Sequence, residues 1–429
     1  MTGQPRFLPR HLVTELQEAL ATARVVNLIG PRQTGKTTLV RDLFSGGKYI
    51  TLDDQTTLDA IEADPDAHLA NLTADLNGHP LIIDEAQRSK SLALAIKARV
   101  DAHPRKGQFV LTGSSNVFTT ADVTDSLAGR MQTIKLWPLT TAEAKRRPLS
   151  RLLDWAIDPE PALETLGDPE PLERADYIDL FLAGGFPETR DLPHRARQRL
   201  YRDYMDAVVD RDVADVLKIR KTDKLRILID QMAVRTGAEV NVSELSGLLG
   251  IKRETVDQYL DVLMRLSLII KLSAWTSGES RRDIKNAKFH MVDTGITCAL
   301  RRMNTATFDV DNDPAALGGL VESFVFNEIL RMLPFQDTDM RLYHWRSADR
   351  REIDILVEAG RHLVCIEVKA STMVRKSDFK HLDWFAKTGP GKGARFTGIV
   401  FYLGLQKARF GPGLFALPVS MLWSNGDTA

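Results

Sequence analysis

Short apolar runs punctuate the first third of the chain: Val25-Val26-Asn27-Leu28-Ile29, Leu81-Ile82-Ile83 and Phe109-Val110-Leu111. Runs this short, bounded by glycine, proline and polar residues, predict strands covered on both faces. Lys48 to Leu52 and Met131 to Trp137 predict two more. Leu12, Leu16, Ala19 and Leu20 recur at helical spacing and predict a lead-in helix over residues 10–23. Strands alternating with helices imply an α/β domain with a parallel sheet. Residues 141–175 shift to Pro, Glu and Arg, a poor core-forming composition that predicts a connection or insertion. Residues 176–235 return to helical spacing, with Tyr177, Leu180 and Phe181 on one face and Tyr201, Tyr204, Met205 and Val208 on another. Ser243–Leu249, a turn at Gly250, Arg253–Leu266 and the strands 268–272 and 287–291 then read as helix, turn, helix and hairpin, the order of a winged helix-turn-helix. A helix over 318–333 and strands at 352–357, 364–369 and 396–405 complete the pattern.

Length changes this picture first, because 429 residues exceed one ordinary domain. Charge changes it next: 57 Lys plus Arg balance 57 Asp plus Glu, so any nucleic-acid contact must come from a local basic patch. Cys298 and Cys365 are the only cysteines, which excludes a disulfide framework and a cysteine-rich zinc site. No apolar stretch approaches the roughly 20 residues of a membrane span, and the first residues lack the apolar core of a signal peptide. The expectation is a cytoplasmic protein with no membrane partner.

The chemistry begins directly after the first strand. Gly30-Pro31-Arg32-Gln33-Thr34-Gly35-Lys36-Thr37 reads G-x-x-x-x-G-K-T between a predicted strand and a predicted helix. In that setting backbone N–H groups and a helix N-terminus cradle phosphate oxygens, Lys36 reaches the β- and γ-phosphates, and Thr37 offers a hydroxyl to Mg²⁺. Thr38 continues the cradle on the helix. The strand ending in Asp84-Glu85 supplies two carboxylates: Asp84 for the metal and Glu85 to polarise the attacking water. The next strand ends in Thr112, Ser114 and Asn116, of which Ser114 is the expected γ-phosphate sensor. Arg130, at a helix end before the last strand, is placed to act as an arginine finger on a neighbouring subunit's nucleotide. ATP and Mg²⁺ are the expected ligands, and a homo-oligomer the expected ATP state.

Gly30 to Thr37, Leu81-Ile82-Ile83-Asp84-Glu85-Ala86, Leu111-Thr112-Gly113-Ser114-Ser115 and Leu127-Ala128-Gly129-Arg130 together resemble the AAA-type ATPase domain of a large prokaryotic family similar to archaeal-type ATPases. The resemblance continues through Gly184-Gly185-Phe186-Pro187-Glu188, Asp293-Thr294-Gly295 and Gly319-Leu320-Val321-Glu322. It implies a P-loop ATPase domain over 1–140, a helical lid and connection over 141–235, the winged helix-turn-helix over 236–295 and a PD-(D/E)XK nuclease-like domain over 296–429.

That last domain has its own candidate site. Strand alternation places Glu367 and Lys369 on one face, with Asp354 on the neighbouring strand, the D-(x)n-E-x-K pattern of the nuclease fold. Glu322 fits the helical acid that some members add. Asp354, Glu367 and Glu322 would hold a second divalent ion, and Lys369 would stabilise a pentavalent phosphate. Lys252, Arg253 and Arg265 are offset by Glu254, Asp257 and Asp261, whereas the wing tip Arg281-Arg282-Asp283-Ile284-Lys285 is basic, so DNA contact is an open expectation. Two readings follow: an ATPase coupled to nucleic-acid processing by a metal-dependent nuclease, or an ATPase switch whose C-terminal domain binds DNA or protein without cutting.

Overall fold

The computed structural model describes residues 8–89, 91–113, 127–158, 160–213, 223–276, 286–308 and 314–424; Ser114, Asn116 and the basic wing tip 281–285 lie outside them. The chain divides into two compact units, Arg10–Pro138 with Arg265–Ser267, and Leu139–Met264 with Leu268 onward and the described residues up to Pro9.

The first unit is a five-stranded parallel sheet in the order β2-β3-β4-β1-β5, built from β1 (Val25–Ile29), β2 (Lys48–Thr51), β3 (Leu81–Asp84), β4 (Phe109–Gly113) and β5 (Met131–Lys135). Every residue of β1, β3 and β4 is buried, which is why these strands read as mainly apolar runs, with Asn27, Asp84 and Thr112 as buried polar exceptions. Helices α1 (Val13–Thr22), α2 (Lys36–Leu43), α3 (Gln55–Ala63), α4 (Pro65–Thr73) and α5 (Ser91–Ala102) accompany the sheet. Leu92, Ile96 and Val100 of α5, with Ile61 and Leu69, pack on Leu81, Ile83, Phe109 and Leu111. Each such side chain contributes about 1.5–3 kcal/mol on burial. Asp54 caps α3 by accepting the Thr57 N–H at 3.0 Å, and Asp64 caps α4 by accepting that of Ala67 at 3.0 Å.

The second unit contains α6 (Thr141–Ala144), α7 (Leu152–Ala156), α8 (Arg174–Ala183), α9 (His194–Ala207), α10 (Asp223–Val234), α11 (Val242–Leu249), α12 (Arg253–Arg265), α13 (Thr294–Leu300), α14 (Pro314–Met332) and α15 (Lys380–Lys387). Strands β6 (Ala238–Glu239), β7 (Ile269–Leu272) and β8 (Lys288–Met291) form a three-stranded sheet in the order β6-β8-β7. A six-stranded sheet runs β13-β14-β12-β11-β10-β9, from β9 (Met340–Arg346), β10 (Glu352–Ala359), β11 (His362–Lys369), β12 (Arg395–Tyr402), β13 (Ala408–Gly411) and β14 (Leu414–Pro418). Val364, Ile366 and Val368 of β11 join the core that holds Leu320, Phe324 and Ile329 of α14. Leu363 and Cys365, on the opposite face, pack with Leu382 and Phe385 of α15.

The segment 141–175 differs from the expected connection. Leu152, Leu153, Trp155, Ala156 and Leu166 are buried in the second unit's core, and a reciprocal cap between Thr140 and Glu143 starts α6. Its apolar residues are concentrated within a few positions, and the surrounding Pro and charge masked them. The helices expected as a lid, α8 and α9, bury their aromatic faces in this same unit: Phe181 packs edge-on against Phe324 at 4.9 Å, and Tyr177 against Trp423 at 6.4 Å. The helix, turn and helix of the expected winged module appear as α11 and α12, separated by Gly250 in a left-handed conformation.

Candidate functional site

The loop between β1 and α2 is shaped by its glycines. Gly30 has φ 149°, and a Cβ there would lie 2.1 Å from the Leu136 carbonyl oxygen, so only glycine fits. Gln33 at φ 60° and Gly35 at φ 92° give the alternation of handedness that turns backbone N–H groups toward a common point. Thr34 is fully buried and donates to the Pro31 carbonyl at 2.9 Å. Arg10, upstream of α1, clamps the loop from outside, donating to the carbonyls of Thr34 at 2.8 Å and Trp137 at 2.6 Å. Lys36 is buried, and its ammonium donates to the carbonyls of Gly30 at 3.0 Å and Pro31 at 2.8 Å, holding the charge inside the turn. Arg32 is half-buried beside it, and Thr38 lies exposed on the first turn of α2.

Asp84, at the end of β3, collects donors from across the sheet. Its Oδ2 accepts from the Thr37 hydroxyl at 2.7 Å and the Tyr49 hydroxyl at 2.8 Å. Its Oδ1 accepts from the Thr112 hydroxyl and from the Glu85 N–H at 3.1 Å. A hydroxyl and a carboxylate this close are the hard oxygen donors that suit Mg²⁺, so the residues fit that ion. Glu85 follows in a left-handed conformation, φ 53° and ψ 40°, which turns its side chain out of the strand. Burial pushes the Glu85 carboxyl above its ordinary range, against the pull of nearby Arg32, and the Gln87 amide donates to it. Burial and the Asp84 bond push the Tyr49 hydroxyl up to about 12.

Family models match three parts of the chain. Residues 22–145 match the family described as an AAA domain, and 174–307 and 317–422 match two families described only as domains of unknown function. The first unit carries an AAA-type P-loop domain. An uncharacterised protein of Mycobacterium tuberculosis is 26% identical over 365 residues, 85% of this chain and 74% of that protein. One of Haemophilus influenzae is 25% identical over 268 residues, 60% of this chain and 58% of its own. Among solved structures, a Walker-type ATPase of Pyrococcus abyssi is 15% identical with a TM-score of 0.43, covering 70% of this chain and 97% of its own.

Of two further residues of the AAA domain, one lies away from the Thr37–Asp84 contact and one is engaged with it. Arg130 lies at the end of the sheet opposite the P-loop, since β5 pairs Met131 with Val25 and Lys135 with Ile29. Its guanidinium grips Asp101 with two bonds, 2.6 and 2.8 Å, and also donates to the Ala128 carbonyl at 3.1 Å. Ser114, the expected sensor, lies outside the described residues; its alternative Thr112 is fully buried and engaged with Asp84. Arg10, Tyr49 and Gln87 escaped the sequence reading, because nothing in the spacing of a lone polar residue announces contacts made from other elements.

In the second unit the carboxylates separate into two groups. The β10 ladder to β9 shifts register between Ile353 and Leu356, and the extra residue re-aims Asp354. Asp354 Oδ2 accepts the Val368 N–H at 2.9 Å. Its Oδ1 faces Lys288 of β8 at 3.3 Å, and the same ammonium donates to Glu322 Oε1 of α14 at 2.8 Å. Glu367 is buried; its Oε2 pairs with Lys369 at 3.1 Å, while its Oε1 has no hydrogen-bond partner and stands 3.9 Å from His381 Nδ1. Among the described residues, no three His, Cys, Asp or Glu side chains come together at metal-binding geometry. Lys288 was not singled out in the sequence, being 34 residues from Glu322 and 66 from Asp354.

The remaining motifs of the resemblance form an interior knot. Asp293 caps α13 through the Ile296 N–H at 3.1 Å and accepts the Gly185 N–H at 2.7 Å. A Cβ on Gly184 would lie 2.2 Å from Asp293 Oδ1, and one on Gly295 2.7 Å from the Tyr201 ring. Arg331 of α14 donates to the carbonyls of Leu139 at 2.9 Å and Val292 at 2.8 Å. Among the described residues no helix is long and apolar enough to cross a membrane.

Proposed function

We propose that this chain is a Mg²⁺-dependent ATPase whose nucleotide cycle switches the state of its second unit, which binds DNA or protein without cutting it. The single observation that carries the ATPase reading is the meeting of Thr37 and Asp84 at 2.7 Å beside the buried Lys36, with Glu85 next in the chain. Bound Mg²⁺ would supply charge neutralisation on the β- and γ-phosphate oxygens. Lys36 would leave the loop carbonyls for those oxygens, Thr37 and Asp84 would hold the ion, and Glu85 would orient the attacking water. Arg130 would act from one subunit on its neighbour in an ATP-dependent homo-oligomer, exchanging Asp101 for the transferring phosphoryl group.

The switch reading is favoured over the nuclease reading by the pairing of Lys369 with Glu367 and of Lys288 with Glu322 and Asp354, which engages the expected catalytic set in internal ion pairs. The helix, turn and helix at α11 and α12 with the β6-β8-β7 sheet support a winged helix-turn-helix reading, and DNA is the partner it suggests. The test is an ATPase assay with and without DNA and RNA, with strands resolved on a gel in Mg²⁺ and Mn²⁺. Stimulated turnover with intact strands supports the switch; strand cleavage lost in Asp354→Ala restores the nuclease reading; no turnover in Mg²⁺ removes both.

A further inference from the structure

The acidic site of the second unit already contains a cation. Lys288 comes from β8, in the three-stranded sheet, and its side chain is only 6% exposed. Its ammonium lies 2.8 Å from Glu322 Oε1 and 3.3 Å from Asp354 Oδ1, so it stands between the helical acid and the strand acid. Burial opposes the Lys288 charge, but Glu322, Asp354 and Glu352 around it raise its pKa, so it stays protonated; burial also pushes the Glu322 carboxyl up to about 8, and the Lys288 charge is the main pull back toward ionisation. A divalent ion bridging the same two carboxylates needs oxygens at about 2.1 Å and would have to displace that ammonium or sit against it. Both alternatives are unfavourable, the first because it strands a buried lysine, the second by like-charge repulsion at low dielectric.

We propose that Lys288 is the resident counter-ion of the Glu322/Asp354 site, occupying the place of a divalent metal and thereby making the second unit a metal-free binding module. The same triad ties β8 of the three-stranded sheet to α14 and to β10 of the six-stranded sheet, a strut within the unit that a metal would otherwise supply. Lysine suits this role because it is a compact point charge on a long stem. Glu367 stands outside this triad, paired with Lys369 at 3.1 Å, so among the described residues the site that Lys288 fills offers an ion only Glu322 and Asp354. This inference deepens the switch reading but is tested apart from it, since the readout is metal binding without nucleotide.

The experiment titrates Mn²⁺ into the full chain carrying Asp84→Asn, which silences the P-loop metal position, and follows free Mn²⁺ by electron paramagnetic resonance. The parent should show no site sensitive to Asp354→Asn. Adding Lys288→Met should create one that binds Mn²⁺ at least about tenfold more tightly than the parent, and Asp354→Asn should abolish it. An Asp354-dependent Mn²⁺ site in the parent overturns the proposal, as does a folded Lys288→Met protein that binds no better. Should Lys288→Met fail to fold, the neutral trio Lys288→Met, Glu322→Gln and Asp354→Asn provides the second measurement. Recovery of folding in the trio, or recovery of Lys288→Met by Mn²⁺, supports the counter-ion role; recovery in neither overturns it.

Discussion

Asp84 accepts four hydrogen bonds, and the donors decide how it works. With its hydroxyl held up at about 12, Tyr49 remains a donor throughout the working pH range and keeps Oδ2 turned toward Thr37. Tyr49→Phe should therefore keep ATP affinity but raise the Mg²⁺ concentration needed for half-maximal turnover by roughly threefold to tenfold, as expected for losing one bond to a charged acceptor. Metal-titrated steady-state kinetics read this out. Lys36→Ala should weaken ATP binding by roughly a hundredfold, whereas Glu85→Gln should bind ATP nearly as well and lower kcat by about a hundredfold or more. If Glu85 orients the water, as proposed, it does so ionised; with its carboxyl pushed up by burial, activity should rise with pH through a limb above the ordinary carboxylate range. That limb should vanish in Glu85→Gln, in a profile of kcat/KM against pH. At this scale motif spacing let the sequence anticipate that Thr37 and Asp84 meet beside Lys36, with Glu85 next in the chain, while their roles stay proposals. The sequence was silent at Tyr49, Arg10 and Lys288, whose partners are distant in the chain.

The turn from β1 into α2 has no room for a side chain at its start. Gly30→Ala would drive a methyl into the Leu136 carbonyl at a φ that L-residues avoid, so the loop should lose ATP binding while the domain still folds, seen by calorimetry beside circular dichroism. Another element contact is pH-dependent. Glu328 of α14 accepts the Thr141 N–H at the start of α6, 3.0 Å away, and burial pushes its carboxyl up to about 7, from an ordinary 4.5. Because the folded state binds the proton more tightly, its stabilising contribution is full below pH 4.5 and is lost as pH rises through about 7. Glu328→Gln should flatten the fall of Tm across that window. The strands were legible because buried runs such as Leu81-Ile82-Ile83 sit between turn residues. The sheet order β2-β3-β4-β1-β5 was not, since order is set by packing across the sheet, and the two-residue β6 is too short to leave a pattern. The misread stretch 141–175 shows the same limit, where proline and charge outnumber the few residues that reach the core.

For the whole molecule, Arg130 is the residue through which the proposed assembly is tested. If it serves a neighbour, Arg130→Ala should bind ATP within about threefold of the parent yet hydrolyse it about a thousandfold more slowly, and mixing it with Lys36→Ala should recover part of the activity. Asp101→Ala separates this role from a structural one: it should leave turnover largely intact, whereas a purely structural Arg130 requires both variants to fail alike. The second unit also imposes an order on biosynthesis. Trp423 is fully buried, donates to Glu170 at 2.6 Å and packs on Tyr177, while Ser150 donates to the Met421 carbonyl at 3.3 Å. A ribosome will thus have released nearly all of residues 10–138 for folding long before the partners of Ser150 and Tyr177 leave the exit tunnel. Helices α7 and α8 must wait, with apolar faces uncovered, for some 250 further residues of translation at about 5–20 residues per second. Nascent chains stalled before Met421 should therefore be cut by protease within 150–183 and protected within 25–113, and this window is where a chaperone would bind.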